Sequence, residues 1–277
     1  MGAGKEMYRD RFGIAPQAIG DEELAPPLAS QLTRRCHRAF QPEKLPPALL
    51  EALLACAQSA PSKSDLQQHS IILIDDPGAR TTVMGTAPQD EWMRTAPHVA
   101  VFCADMRRGQ RICALRGHPH RNDSLDTFLN ASVDAALAMG ALMATAEASG
   151  IGCCPISLIR DRIDAVADVL KLPPGVYPVA GFCFGRPARA GFISMRLPPT
   201  VVVHRETYGD SSLEAELTAY DARRHERFPI APQKQRYVAE YGEAAYYPWS
   251  ENAARQLSMP ERPKFRAFLL KHGFGLS

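Results

Sequence analysis

The stretch from Asp123 to Gly150 constrains the fold of this chain more than any other. It contains no proline and is rich in strong helix formers. Asp123 or Ser124 can cap the first turn, and Gly150 suits a left-handed residue at the C-terminal end. Because apolar residues cover nearly the whole circumference, we predict one long helix that is buried on all sides.

This helix does not have the pattern of a membrane span. Asp126, Asn130 and Asp134 interrupt it. The uninterrupted apolar run Ala135–Ala146 is shorter than the roughly 20 residues that a bilayer requires. We therefore expect no membrane partner.

Burial on all sides leaves two interpretations of the long helix. It is either the core helix of a monomer or a core helix that also forms a dimer interface. Small residues would let another backbone approach closely along one part of it: Ala138, Gly140, Ala141 and Ala144. The residues alone leave both interpretations open.

Composition narrows the function classes. The chain has 277 residues, of which 45% are hydrophobic, and its formal net charge is +2. This balance of charge argues against a nucleic-acid partner. The seven cysteines include no C-x-x-C pair and mostly lie in apolar runs. They fit reduced thiols in a cytoplasmic protein, and the N-terminal stretch lacks the apolar core of a signal peptide.

The order of apolar segments indicates an α+β protein with a small sheet surrounded by helices. We predict a surface arm over residues 1–27, one domain over residues 28–277, and a helical C-terminal extension from about residue 211. Residues 106–122 are expected to form a polar loop. The predicted strands are Ser70–Asp75, His98–Asp105, Gly152–Ile156, Val176–Gly185 and Val201–His204.

A basic cluster follows the first predicted helix of the domain. It comprises Arg34, Arg35, His37 and Arg38, and Phe40 comes just after it. A solvated surface is the usual role of such a cluster. The adjoining apolar helix and the aromatic anchor favour a fixed anion site here, because guanidinium groups bind phosphate through paired hydrogen bonds.

Five blocks in order resemble the FMN-dependent nitroreductase family, and within it the larger, NADPH-preferring enzymes and NADPH:flavin oxidoreductases. Each block is short, but their order and the long helix between the second and third make the resemblance specific. The blocks are Arg34–Phe40, Ser62–Gln67, Gly150–Arg160, Leu170–Pro173 with Gly185–Pro187, and Ser194–Pro198.

The resemblance implies a nitroreductase-like fold with a small central mixed sheet and the long helix at the interface of a homodimer. It also implies two FMN sites, each built from both subunits, and no metal. Ser62, Ser64 and Asp65 would come from the partner subunit, and Arg34 and Arg196 would hold the FMN phosphate. The remaining implied FMN contacts are Arg35, Cys36, Arg38, Gln89, Ile156, Ser157 and Leu158.

Three positions depart from the family pattern. Cys36 stands in place of a serine, which weakens one hydrogen bond to flavin. Ser194 stands in place of a lysine, so the phosphate loses one charge. Ser157 and Leu158 stand in place of two glycines and put side chains near the flavin.

The function implied by the resemblance is ping-pong hydride transfer. NADPH or NADH would reduce the flavin at N5, and a small nitroaromatic, quinone or flavin acceptor would then reoxidise it. No protein side chain is expected to act as a catalytic acid, base or nucleophile. Two alternatives remain: a flavin-binding protein with little turnover, and a family member with a specialised acceptor, such as one for quinone, azo or dehalogenation chemistry. A third, an interaction module that binds nucleic acid through the Arg34–Arg38 cluster, is disfavoured by the balanced charge.

Overall fold

The computed structural model describes residues 3–20 and 22–277; Met1, Gly2 and Asp21 of the predicted arm lie outside it. The described chain is an α+β fold with a four-stranded sheet, which confirms the predicted class. Its strands are β1 His69–Leu73, β2 His98–Asp105, β3 Gly152–Ile156 and β4 Val176–Gly185. Its helices are α1 Ala3–Phe12, α2 Pro26–Thr33, α3 Pro47–Gln58, α4 Pro77–Met84, α5 Glu91–Arg94, α6 Arg107–Leu115, α7 Leu125–Ala148, α8 Ile163–Val169, α9 Pro199–Val202, α10 Leu213–Arg227, α11 Val238–Tyr241, α12 Trp249–Leu257 and α13 Phe265–Lys271.

The sheet has the order β1-β2-β4-β3, and every neighbouring pair is antiparallel. The expectation of a mixed sheet is therefore wrong for the described strands. The one parallel pairing found there is an isolated bridge between Cys36 and Cys153. Cys36 belongs to a connecting segment rather than a strand, so this bridge adds no fifth strand.

Strand β2 runs through the centre of the core, and all of its residues are buried. Val99, Val101 and Cys103 contact the core on one face of the sheet, whereas Ala100 and Phe102 contact the core on the other. This alternation is the period of two that a strand imposes. A bulge in the pairing with β4 between Phe102 and Cys103 interrupts the register.

Helix α7 confirms the predicted long helix. The Ser124 side chain accepts a hydrogen bond from the Thr127 N–H, and Gly150 has the expected left-handed φ of 75°. α7 packs with α3 against one face of the sheet through Ala138, Leu142 and Ala146. α7 has the length and composition of a membrane span. Its residues Ala138, Leu142 and Ala146, however, belong to the hydrophobic core of the folded chain.

Burial of α7 on all sides is wrong within the single chain. Four large apolar residues along it remain 41–55% exposed. They recur every fourth residue and so lie on one face. They are Leu125, Leu129, Val133 and Leu137, and we call them the α7 stripe.

Two predicted elements differ from the structure. The expected polar loop 106–122 contains α6, an amphipathic helix whose polar face hid its period from a search for apolar runs. The expected strand Val201–His204 is instead the short helix α9 followed by extended chain. α9 forms because Pro198 and Pro199 favour the start of a helix, where the missing N–H is not needed.

The described chain divides into two compact units. The first comprises residues 1–34 and 193–261, and the second comprises residues 35–192 and 262–277. The predicted arm contributes α1 and α2 to the first unit. Within α1, Arg11 is 5% exposed, so this segment is not only a surface arm.

Candidate functional site

The part of the basic cluster that belongs to the second unit, from Arg35 to Arg38, lies against the start of β3. The backbone of Cys36 forms the isolated parallel β-bridge with Cys153. The His37 N–H donates to the Cys153 carbonyl at 3.0 Å. The Arg35 Nη1 donates to the Gly191 carbonyl at 3.1 Å. These contacts hold the segment in place, so it is not a loose basic tail.

Two glycines allow this close approach. A Cβ atom on Gly152 would lie 2.6 Å from His37 Cγ. A Cβ atom on Gly191 would lie 2.9 Å from the Cys36 carbonyl oxygen. Neither distance is tolerated, so any other residue at these positions would displace the cluster.

A cavity of about 420 Å³ opens beside the cluster, which is within the size range of small-molecule sites. Arg38 and Arg189 both line it and are exposed, so the cavity is electropositive. Arg189 was not predicted as a site residue. Its only signal in the sequence is its position shortly after the strand that ends at Gly185. The full lining is Cys36, His37, Arg38, Ala39, Arg189, Ala190, Gly191 and Phe192.

The Cys36 thiol makes a hydrogen bond with the Cys154 thiol of β3. This bond, and then burial, raise the pKa of Cys154 far above its usual value, while the nearby Arg38 opposes the shift. Cys154 is therefore a neutral thiol at physiological pH. The sequence put Cys36 in the predicted site and Cys154 in a predicted strand, but nothing in it indicated that the two thiols are in contact.

Ile156, Ser157 and Leu158 lie at the opposite end of β3 from Cys153. Ile156 is buried, Ser157 is exposed and Leu158 is half-buried. β3 thus connects the pairing with Cys36 at one end to residues 156–158 at the other. Gln89 is exposed in a 3₁₀ turn, Pro88–Asp90, and we find no hydrogen bond from it to another predicted site residue in the described chain.

The predicted turn Ser62–Gln67 has an unusual backbone. Ser64, Asp65 and Gln67 all have left-handed φ angles, of 51°, 57° and 52°. Such angles are uncommon outside glycine and cost energy unless neighbouring contacts enforce them. Here the Gln67 N–H donates to Ser62 Oγ at 2.8 Å.

Asp134 of α7 holds both ends of this turn. Its carboxylate accepts the Lys63 N–H at 3.1 Å and the Gln68 N–H at 2.9 Å, and the residue is 1% exposed. From the sequence, Asp134 was interpreted only as a polar interruption of the helix. A carboxylate inside an apolar helix was a usable signal, because buried charges require partners.

Arg34 and Arg196 lie in the first unit, and both of their segments contact Arg11. The Arg11 Nη2 donates to the Arg34 carbonyl, and the Arg196 N–H donates to the Arg11 carbonyl at 2.8 Å. The exposed Arg196 side chain donates from Nη1 to Ser194 Oγ at 2.7 Å. Ser194, which occupies the position of a family lysine, thus contacts the neighbouring cation.

Comparison with known proteins places this geometry in a family. A model of the nitroreductase family matches residues 32–186, and a model of the nitroreductase family C-terminal domain matches residues 194–277. Residues 1–31 lie outside both models.

Individual relatives agree with the family models. The oxygen-insensitive NADPH nitroreductase of Salmonella typhimurium is 31% identical over 91% of this chain and 99% of its own length. The FMN reductase [NAD(P)H] of Bacillus subtilis is 29% identical over 80% of this chain and 92% of its own. The solved structure of B. megaterium NfrA2 has a TM-score of 0.82 at 28% identity, covering 92% of this chain and all of that one. The chain described here belongs to the nitroreductase family.

Proposed function

We propose that this protein is an FMN-dependent NAD(P)H oxidoreductase that reduces nitroaromatic, quinone or flavin acceptors. The observation that carries the proposal is the electropositive cavity beside β3, which His37, Arg38 and Arg189 line. Relatives named as an FMN reductase and as an NADPH nitroreductase support the cofactor and the donor.

The side chains around the cavity suit a flavin. Bound FMN would accept a hydride equivalent from NAD(P)H and pass it to the acceptor. Arg38 is exposed at the cavity, and its guanidinium would stabilise negative charge on a reduced flavin bound there. The neutral Cys154 thiol adds no opposing negative charge.

Arg34 and Arg196 are proposed to hold the FMN phosphate. Both carry a permanent positive charge and present a planar fork that matches phosphate oxygens. The backbone of each segment is fixed by Arg11 within one compact unit. In the family pattern a lysine adds a positive charge to those of the arginines. Ser194 stands in its place and contributes a hydroxyl but no charge, so Arg34 and Arg196 would supply the positive charge at the phosphate.

Ser157 and Leu158 are proposed to restrict the acceptor. Two side chains stand here where the family pattern has glycines, and they follow directly on β3. Leu158 packs partly against the core, so its position is constrained. We therefore propose a narrower acceptor site than the family pattern provides.

A homodimer is proposed from the α7 stripe. Its four apolar residues form an exposed band, and soluble proteins usually cover such bands with a partner. The Ser62–Gln67 turn is held by Asp134, which lies next to Val133 of the stripe. In a dimer built on this face, Ser62, Ser64 and Asp65 would lie beside the partner subunit, where we propose that they complete its site. The seven free thiols fit a reducing, cytoplasmic location.

Loss of FMN affinity on removal of Arg196 tests the assignment. Arg196→Ala should raise the dissociation constant for FMN about tenfold or more, because a charged contact to phosphate is lost. Titration of the FMN-free protein, followed by quenching of flavin fluorescence, measures this. Arg111→Ala, on an exposed part of α6, is the matched control and should leave the constant unchanged. An Arg196→Ala protein with undiminished FMN affinity would show that the phosphate assignment is wrong.

A further inference from the structure

We propose that Arg11 positions Arg34 and Arg196, the two arginines of the flavin phosphate site. The N-terminal helix α1, which carries Arg11, thereby contributes to the geometry of that site. This inference rests on the proposed function, because it takes Arg34 and Arg196 as the phosphate ligands. It goes beyond the family pattern, because the family models begin at residue 32.

The Arg11 guanidinium joins two segments that are distant in sequence. Its Nε donates to the Leu32 carbonyl at 3.0 Å, and its Nη2 donates to the Arg34 carbonyl. Its Nη1 donates to the Ser194 carbonyl at 2.7 Å. A guanidinium carries five N–H donors in a rigid plane, so one side chain fixes all three carbonyls relative to one another.

The backbone of Arg11 adds a contact in the opposite direction. Its carbonyl accepts the Arg196 N–H at 2.8 Å. The segment Ser194–Arg196 is therefore bound to Arg11 at both ends. Tyr220 secures the middle of this segment, since its hydroxyl donates to the Met195 carbonyl at 3.2 Å.

Arg11 is itself held firmly in place. It is 5% exposed, and a buried guanidinium is tolerated only when its donors are satisfied. The preceding residue, Asp10, pairs with Arg227 of α10 at 2.6 Å. Gly13 follows Phe12, the last residue of α1, and has a left-handed φ of 69°. Its missing Cβ lets Met195 approach, since a Cβ there would lie 2.3 Å from Met195 Cε.

These contacts give Arg11 a role that is separate from direct binding. It donates to backbone carbonyls of both arginine-bearing segments, whereas Arg196 keeps an exposed side chain. Arg11 thus fixes the backbone positions of Arg34 and Arg196, the two residues proposed to bind the phosphate. Pre-organised ligands lose less freedom when they bind, which strengthens binding without a new contact.

The test compares FMN with riboflavin, which lacks the phosphate. Arg11→Lys keeps the charge but cannot reach three carbonyls with a planar fork. We expect the dissociation constant for FMN to rise about tenfold and that for riboflavin to change less than about twofold. In the FMN-free protein, hydrogen exchange at the Arg196 amide should also accelerate, which reports the loosened segment without any flavin.

A control variant separates positioning from general effects. Arg9→Lys alters an exposed arginine on the same helix and should leave both flavin affinities unchanged. Should Arg11→Lys fail to fold, Arg11→Gln serves as the second variant, with the same expected loss of FMN preference.

The outcomes distinguish this inference from the proposed function. If Arg196→Ala abolishes the preference for FMN over riboflavin and neither Arg11 variant alters it, the positioning role is wrong while the phosphate site stands. If Arg196→Ala leaves that preference intact, the phosphate assignment itself is wrong. Equal weakening of both flavins by Arg11→Lys would show a merely structural role and would also overturn the inference.

Discussion

At the scale of single residues, the proposed site depends on buried charges whose partners are backbone groups. Asp134 accepts two backbone N–H groups of the Ser62–Gln67 turn, and Arg11 donates to three carbonyls. Such bonds stabilise more than neutral hydrogen bonds, because one partner carries a full charge. They also fix loops and segment ends that have no regular secondary structure of their own.

Asp134→Asn should lower the free energy of unfolding by about 1–3 kcal/mol. The asparagine amide has one accepting oxygen where the carboxylate has two, and its NH₂ group would face a backbone N–H that then has no acceptor. Urea unfolding of the FMN-free protein measures this. Asp126→Asn is the control on the same helix, since Asp126 is exposed and, within the described residues, accepts one hydrogen bond, from Asn130. That control should cost less than about 0.5 kcal/mol. Equal losses in the two variants would contradict the role given to Asp134.

Sequence reasoning identified ligand types at this scale but missed the residues that position them. Arginines and serines stand out by their chemistry and by their place in known motifs. Arg11 did not, because a guanidinium at the end of a short polar helix has the pattern of a solvated surface. Its burial depends on carbonyls from Leu32 and Ser194, which only the folded chain brings to it.

At the scale of secondary-structure elements, long apolar segments were predicted well and short polar ones poorly. The strands β2, β3 and β4 have their predicted bounds, and α7 begins and ends within two residues of the prediction. Their signals are local: apolar runs, a serine cap and a glycine at the C-terminal end. α9 was mistaken for a strand because three consecutive valines favour extended chain, whereas the prolines before them initiate a helix.

The α7 stripe leads to a prediction about this element. Val133→Glu should dissociate the proposed homodimer, because a charge would be buried against its own symmetry copy. Its dissociation constant should rise at least about tenfold, as measured by sedimentation velocity.

Leu115→Glu is the control for this substitution. It places the same charge on α6 at a residue that is 77% exposed and lies outside the stripe. The control should leave the molecular mass unchanged. If Val133→Glu sediments like the unaltered protein, the interface does not lie on this face of α7.

At the scale of the whole molecule, five short motifs in order predicted the family, and the comparisons confirmed it. The first three motifs lie within the family model over residues 32–186, and the fifth lies in the C-terminal domain model. The division into two units was not predicted, because it joins residues 1–34 to residues 193–261. Contacts between segments so far apart in sequence leave no local pattern along the chain.

The central claim is that this chain carries out flavin-dependent transfer of electrons from NAD(P)H. Anaerobic addition of stoichiometric NADPH to the FMN-loaded protein tests it most directly. We predict that the visible flavin absorbance is lost and then recovers on addition of a nitroaromatic compound or a quinone. A flavin that stays oxidised with NADPH and NADH, or that is reduced but recovers with neither acceptor, would contradict the account and favour a flavin-binding protein with little turnover.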